Sequence, residues 1–364
     1  MKQRDYSLDA IKGIGCILMI FAHAKVNSSG SIFFQIIIFL GTFAPVLFFA
    51  VSGITATLQA KKSSFFIVLF YTMFAFLGLS YNTIWQPNLW QKFLYDLPQI
   101  IAICVVIIIF LEKYLKPQKN HYIFFTAAIF LIYYFLNQNP NVLQQLNFNS
   151  FLISPVSFAV IPWVSMFFTG VFAYYTNNFV NLALGVASLV SLIAVMQGQN
   201  YSLNWSDKYD MSVSYYLISQ SIIFFCFYLF RSKKNLFQNP NNIVLFFGKN
   251  SLLFLYIHLI ILKVFQWLSF RQAFIVWLAT LVLTYIMMRL SQSANKYIEK
   301  YFHNIFIWIA MIMCICIIPL VIQKPSAIVL PEMVIGVLFA NNYQSLSNLL
   351  KQRLSNASSS YSRE

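Results

Sequence analysis

Charge is what this sequence has least of. Only 9% of its 364 residues are Asp, Glu, Lys or Arg, against about 25% in soluble domains. Acidic residues are the scarcest, with nine Asp and Glu against 24 Lys and Arg. So little charge excludes a water-exposed domain of this length. The five cysteines, Cys16, Cys104, Cys226, Cys314 and Cys316, all lie in apolar runs. None shows disulfide or metal-ligand spacing, so no disulfide framework and no metal are expected. There is no Gly-rich phosphate loop and no internal repeat. The second absence counts against a transporter built from inverted repeats.

What fills the chain is apolar surface. Hydrophobic residues make up 60%, with 39 Phe and 21 Tyr, and the mean hydropathy is +0.71. This reads as an all-α, polytopic helical bundle in a lipid bilayer, with rings at the interfaces. Candidate spans fall near 12–27, 32–58, 65–81, 97–112, 121–136, 154–176, 179–198, 212–230, 246–268, 271–290 and 303–322. They give about eleven helices, within bounds of ten and twelve. Residues 1–322 are read as one membrane domain. Residues 323–364 form a C-terminal extension with a short re-entrant or twelfth helix near 326–340 and a polar, unstructured tail. The first apolar run, with Asp5 and Asp9 ahead of it, is read as an uncleaved helix rather than a signal peptide.

Charge placement sets the orientation. With the N-terminus in the cytoplasm, fifteen Lys and Arg fall on the cytoplasmic side of these spans. Only Lys25, Lys92, Lys208, Arg271 and Lys324 fall outside. That bias follows the positive-inside rule. It also accounts for the net charge of +15 without a nucleic-acid partner. The nearly uncharged outer loops carry Trp, amides and a few Asp, a surface suited to sugars.

One stretch carries an expense without an obvious structural return. In "DAIKGIGCILMIFAHAK" an apolar helix holds Lys12 and, eleven residues later, His23. Eleven residues make about three turns and climb about 16 Å, so both side chains share a face, with Asp9 one turn below Lys12. An ionisable group within a span is a functional candidate. His258, nine residues past Lys249, is a second one and can share a cavity with His23.

The stretch "RDYSLDAIKGIGCILMIFAHA" resembles the N-terminal signature of membrane acyltransferase family 3, which includes O-acetyltransferases of bacterial surface polysaccharides. Arg4, Asp9, Lys12, Gly13 and His23 carry the match. "LFFAVSGI", "FGKNSLLFLYIHLIIL" and "ANKYIEKYF" resemble later family segments, in order. Lys at residue 12 suggests the fucose 4-O-acetylase-like branch. The chain departs from the pattern in lacking the Pro pair that often follows the later His.

The resemblance implies transfer of an acetyl group from acetyl-CoA to a hydroxyl of a cell-surface polysaccharide, or of its lipid-linked sugar precursor, at a bacterial inner membrane. His23, Asp9 and His258 form the expected catalytic set, with His23 as base or acyl relay. Lys12 and Arg4 would bind the phosphates of the donor. Ser52 and Gly53 are read as a helix-packing pair, Lys263 as snorkelling, and Glu299 and Arg289 as an interfacial pair or anchor. Two other readings are a glycan or lipid transporter or flippase, and a heparan-glucosaminide-type N-acetyltransferase.

Overall fold

The computed structural model describes residues 5–24, 32–85, 96–139, 153, 158–199, 211–232, 239, 242–270, 272–322 and 324–361. Arg4 lies outside them, as do most of the outer-loop stretches. Among the described residues the secondary structure is helical throughout, with no strand. The helices are α1 (Tyr6–His23), α2 (Ile32–Gly41), α3 (Ala44–Gln59), α4 (Ser64–Leu77), α5 (Leu79–Trp85), α6 (Leu97–Phe110), α7 (His121–Gln138) and α8 (Val160–Tyr175). They continue as α9 (Asn178–Gln199), α10 (Val213–Ser232), α11 (Ile243–Lys249), α12 (Ser251–Trp267), α13 (Ala273–Ile298), α14 (Ile305–Val321) and α15 (Pro325–Tyr361).

The described part of each expected span is largely helical, so the all-α polytopic bundle holds. By length and apolarity alone seven spans qualify among the described residues, and an eighth if α11 and α12 count as one. That pair is bent by 101° around Asn250. α8 and α14 are apolar but shorter.

Several of the helices begin where the sequence offers a side-chain cap. The Asp5 carboxylate accepts from the Ser7 amide at 3.0 Å ahead of α1. Asn242 does the same for Val244 at 2.8 Å ahead of α11, and Asn304 for Phe306 at 3.0 Å ahead of α14. Such caps satisfy amides that the first turn leaves open.

The chain divides into two compact units. The first comprises Met1–Ala60, Ile107–Ser251 and Arg271–Trp277. In it α3 and α8 cross at glycines. A Cβ on Gly53 would lie 2.3 Å from the Phe167 carbonyl oxygen, and one on Gly170 would lie 2.2 Å from that of Ala50. Small residues at such crossings let backbones approach in lipid, which is the packing role read for Gly53. Beside them Phe49 stacks on Phe167 at 4.9 Å. A buried polar chain ties α7, α8 and α10. In it the Thr126 and Thr169 hydroxyls lie 3.3 Å apart, and Thr169 donates to the Gln220 side chain at 2.8 Å.

The second unit comprises Lys61–Val106, Leu252–Phe270 and Leu278–Glu364. Here the expectation for the C-terminus needs correcting. α15 is neither short nor detached; it packs on α4, α5 and α14 as part of the unit. It runs through the stretch expected to be unstructured, as far as Tyr361. Leu346, Leu349 and Leu350 are buried on it, a helical stripe that the polar residues between them obscure. Asn295 and Asn342 exchange amide hydrogen bonds at 2.9 and 2.7 Å, joining α13 to α15.

Near its far end α15 brings Lys351 over the Phe66 ring, 6.0 Å from the centroid. Lys62 covers the same ring at 5.4 Å. Burial, and then the charge of Lys351, hold the Lys62 ammonium below its ordinary pKa. The end of α15 therefore returns to the side of the unit that carries Lys62. Tags inserted after Lys61, Lys116 and Lys233 are expected to report cytoplasm, and tags at Asn141 and Asn204 the opposite face. A tag after Tyr361 should report with Lys61. Reporter fusions at these six places check the topology, and reversal at any two of them would contradict it.

Candidate active site on the first helix

α1 carries three of the expected site residues. Asp9 and Lys12 form an ion pair at 3.5 Å one turn apart, with 8% of the Asp9 side chain and 23% of the Lys12 side chain exposed. The carboxylate holds the ammonium, as the spacing suggested. The same turn meets α11. A Cβ on Gly248 would fall 1.7 Å from the Asp9 carbonyl oxygen and 2.8 Å from the Gly13 amide nitrogen. A Cβ on Gly13 would fall 2.0 Å from the Val244 carbonyl oxygen. Two glycines thus set the crossing, and they bring exposed Lys249 beside the turn that bears Lys12. The Cys16 thiol donates to the Phe247 carbonyl at 3.7 Å.

A second set of contacts fixes the base of α1, and sequence reasoning did not find it. Tyr174 donates to the other Asp5 carboxylate oxygen at 3.0 Å. Arg231 donates to the Thr176 and Tyr174 carbonyls, and its guanidinium lies 5.4 Å from the centre of the Tyr174 ring. The end of α8, itself held by Arg231 of α10, therefore clamps the start of α1. Only the Asp5 cap before a periodic apolar run was visible as a signal.

His23 is the last residue of α1, half-buried rather than enclosed within the helix. On the stripe between it and Lys12, Cys16, Met19 and Ile20 are buried. Near this end of α1, Phe21 packs edge-on against Trp277 at 5.1 Å, and Phe34 packs on the same indole at 5.2 Å. The buried Trp277 indole N–H has no acceptor among the described residues. An unfilled donor of this kind calls for a ligand or water oxygen. Trp277 was not singled out in the sequence, because a Trp in an apolar run reads as packing.

His258 belongs to the second unit. It is fully buried in α12. Its Nδ1 lies 2.7 Å from the Phe254 carbonyl oxygen, and its ring stacks on Phe254 at 5.2 Å. That contact requires a proton on Nδ1, which in a neutral ring leaves the lone pair on Nε2. Two residues earlier, the Tyr256 hydroxyl lies 2.9 Å from that of Ser80. Its ring also fills the space that a Cβ on Gly336 would occupy. Glu332, one turn before Gly336, is fully buried, and neither carboxylate oxygen has a hydrogen-bond partner among the described residues. Of the remaining expectations, Ser52 is partly exposed on α3, and Arg289 covers the Tyr285 ring at 5.4 Å.

A family model described as an acyltransferase domain matches residues 5–291. The match takes in α1, α11 and α12, together with Asp9, Lys12, His23 and His258; Glu332 lies beyond it. No curated protein and no solved structure is found to match the chain.

Proposed function

Because the chain belongs to membrane acyltransferase family 3, we propose that it moves an acetyl group from acetyl-CoA to a hydroxyl of a bacterial surface polysaccharide or its lipid-linked precursor. It would act from the inner membrane. The observation that carries this reading is α1 itself, which has a paired cation at one end and an accessible histidine at the other.

The chemistry assigns each end a task. An acetyl thioester reacts with an alcohol when the hydroxyl proton is removed as the oxygen attacks the carbonyl carbon. His23 takes that proton. The new C–O bond forms, the C–S bond breaks, and the imidazolium returns the proton to the departing thiolate. In a relay the same imidazole first displaces the thiolate to take the acetyl group, then passes it to the sugar oxygen as the hydroxyl proton goes to that thiolate, leaving the ring neutral again; both routes require His23. Partial exposure suits His23 to this work, because a base must reach the proton it removes. The enclosed ring of His258 suits positioning instead. Lys12, held by Asp9 and flanked by Lys249, would meet the donor's phosphates, a task the resemblance also gives Arg4.

Lys12→Ala is expected to weaken acetyl-CoA binding roughly tenfold, the loss of one charge-assisted contact. Lys12→Arg should bind near normally. Calorimetric titration of the purified protein checks both, and unchanged affinity in Lys12→Ala would remove the donor role. For the function as a whole, surface glycan from a deletion strain should lack ester-linked acetyl groups that a plasmid copy restores.

A further inference from the structure

Three helices of the second unit border a groove of about 470 Å³. α4 supplies Leu69 and Met73, α14 supplies Ile309 and Met313, and α15 supplies Leu350 and Arg353. The lining on α14 begins at Ile305, so the groove follows that helix for eight residues, or about 12 Å. Arg353 is the one charged residue of the lining. Its side chain is exposed, and among the described residues no carboxylate pairs with it.

Any apolar groove on a membrane helix meets lipid tails. Arg353 lines the groove with its aliphatic stem, and a guanidinium beside an apolar groove adds selectivity. Lys351 and Lys62 converge on Phe66 at the same end of the unit, outside the groove lining, so that end of the unit carries a cluster of cations. A guanidinium grips a phosphate through two parallel hydrogen bonds, and clustered cations draw anionic lipids. A zwitterionic lipid brings its own ammonium to that cluster and gains less.

We propose that this groove is a binding site for one anionic phospholipid, with an acyl chain between α4, α14 and α15 and the phosphate on Arg353. Arg353 lies beyond the family match, and the site stands whether or not the acetyl-transfer reading does.

The test uses the full-length protein in detergent, offered phosphatidylglycerol and phosphatidylcholine of matched chains in equal amounts, with bound lipid read by native mass spectrometry. The wild type should retain phosphatidylglycerol over phosphatidylcholine by roughly tenfold. Arg353→Gln should erase that preference, and Arg353→Lys should keep part of it. Ile309→Trp, which fills the groove, should lower retention of both lipids. Equal retention by the wild type, or an unchanged preference in Arg353→Gln, would overturn the proposal. So would displacement of phosphatidylglycerol by a long-chain polyisoprenyl monophosphate in a competition arm, since the groove would then serve a different lipid.

Discussion

Replacing His23 by Asn is expected to lower acetyl transfer by about 10²–10⁴, the usual contribution of a general base, while the protein still inserts and folds. Asn can keep a packing hydrogen bond of the imidazole, but it cannot take a proton at neutral pH. His23 ends α1 and is only half-buried, so the substitution leaves no large void behind. His258→Asn is the useful comparison. Its ring is enclosed and back-bonded to Phe254, so its loss should show first in thermal stability. Initial rates with each variant, alongside melting curves in detergent, separate the two histidines. A His23→Asn enzyme that keeps most of its activity would make His23 a packing residue and turn attention to His258.

Gly248→Val is expected to be the most damaging single change to the fold around the site. Even a first side-chain carbon would sit 1.7 Å from the Asp9 carbonyl oxygen. The neighbour is backbone, which cannot swing aside as a side-chain tip can. α11 would have to lift from α1, separating Lys249 from the turn that bears Lys12. Overpacking typically costs 1–3 kcal/mol and more where backbone must move, so a melting temperature lower by several degrees is expected, together with weaker donor binding. Gly15→Ala is the internal control. Its added carbon would lie 3.2 Å from the Phe48 ring edge, and that ring can yield. Matching melting curves and donor affinities for the two variants would show that the crossing of α1 and α11 is not what holds the site.

The bundle was legible because lipid leaves a coarse signature. Long apolar runs depend only on composition and order, and the described part of every expected span is largely helical. The ends of helices were harder to read. Pro331 and Glu332 make the start of α15 read as a short segment, and the polar run from Lys351 makes its end read as an unstructured tail. Its stability comes from Leu346, Leu349 and Leu350 packed within its own unit, a tertiary cause that propensity does not register. In the site, the Asp9–Lys12 pair followed from helical spacing alone. The crossing of α1 by α11 did not, since Gly13 and Gly248 lie 235 positions apart and only the fold joins them. The Tyr174 and Arg231 clamp, and the indole of Trp277, stayed hidden for the same reason. An aromatic residue in an apolar run gives no sign of which one will be left with an unfilled donor.

The most direct measurement gives purified protein in proteoliposomes radiolabelled acetyl-CoA and a glycan fraction from a strain lacking the gene. The account predicts label on the glycan as an alkali-labile ester, formed by the wild type and by Lys12→Arg but not by His23→Asn. Label no higher than in protein-free vesicles, with glycan instead crossing the bilayer unmodified, would contradict acetyl transfer and favour transport.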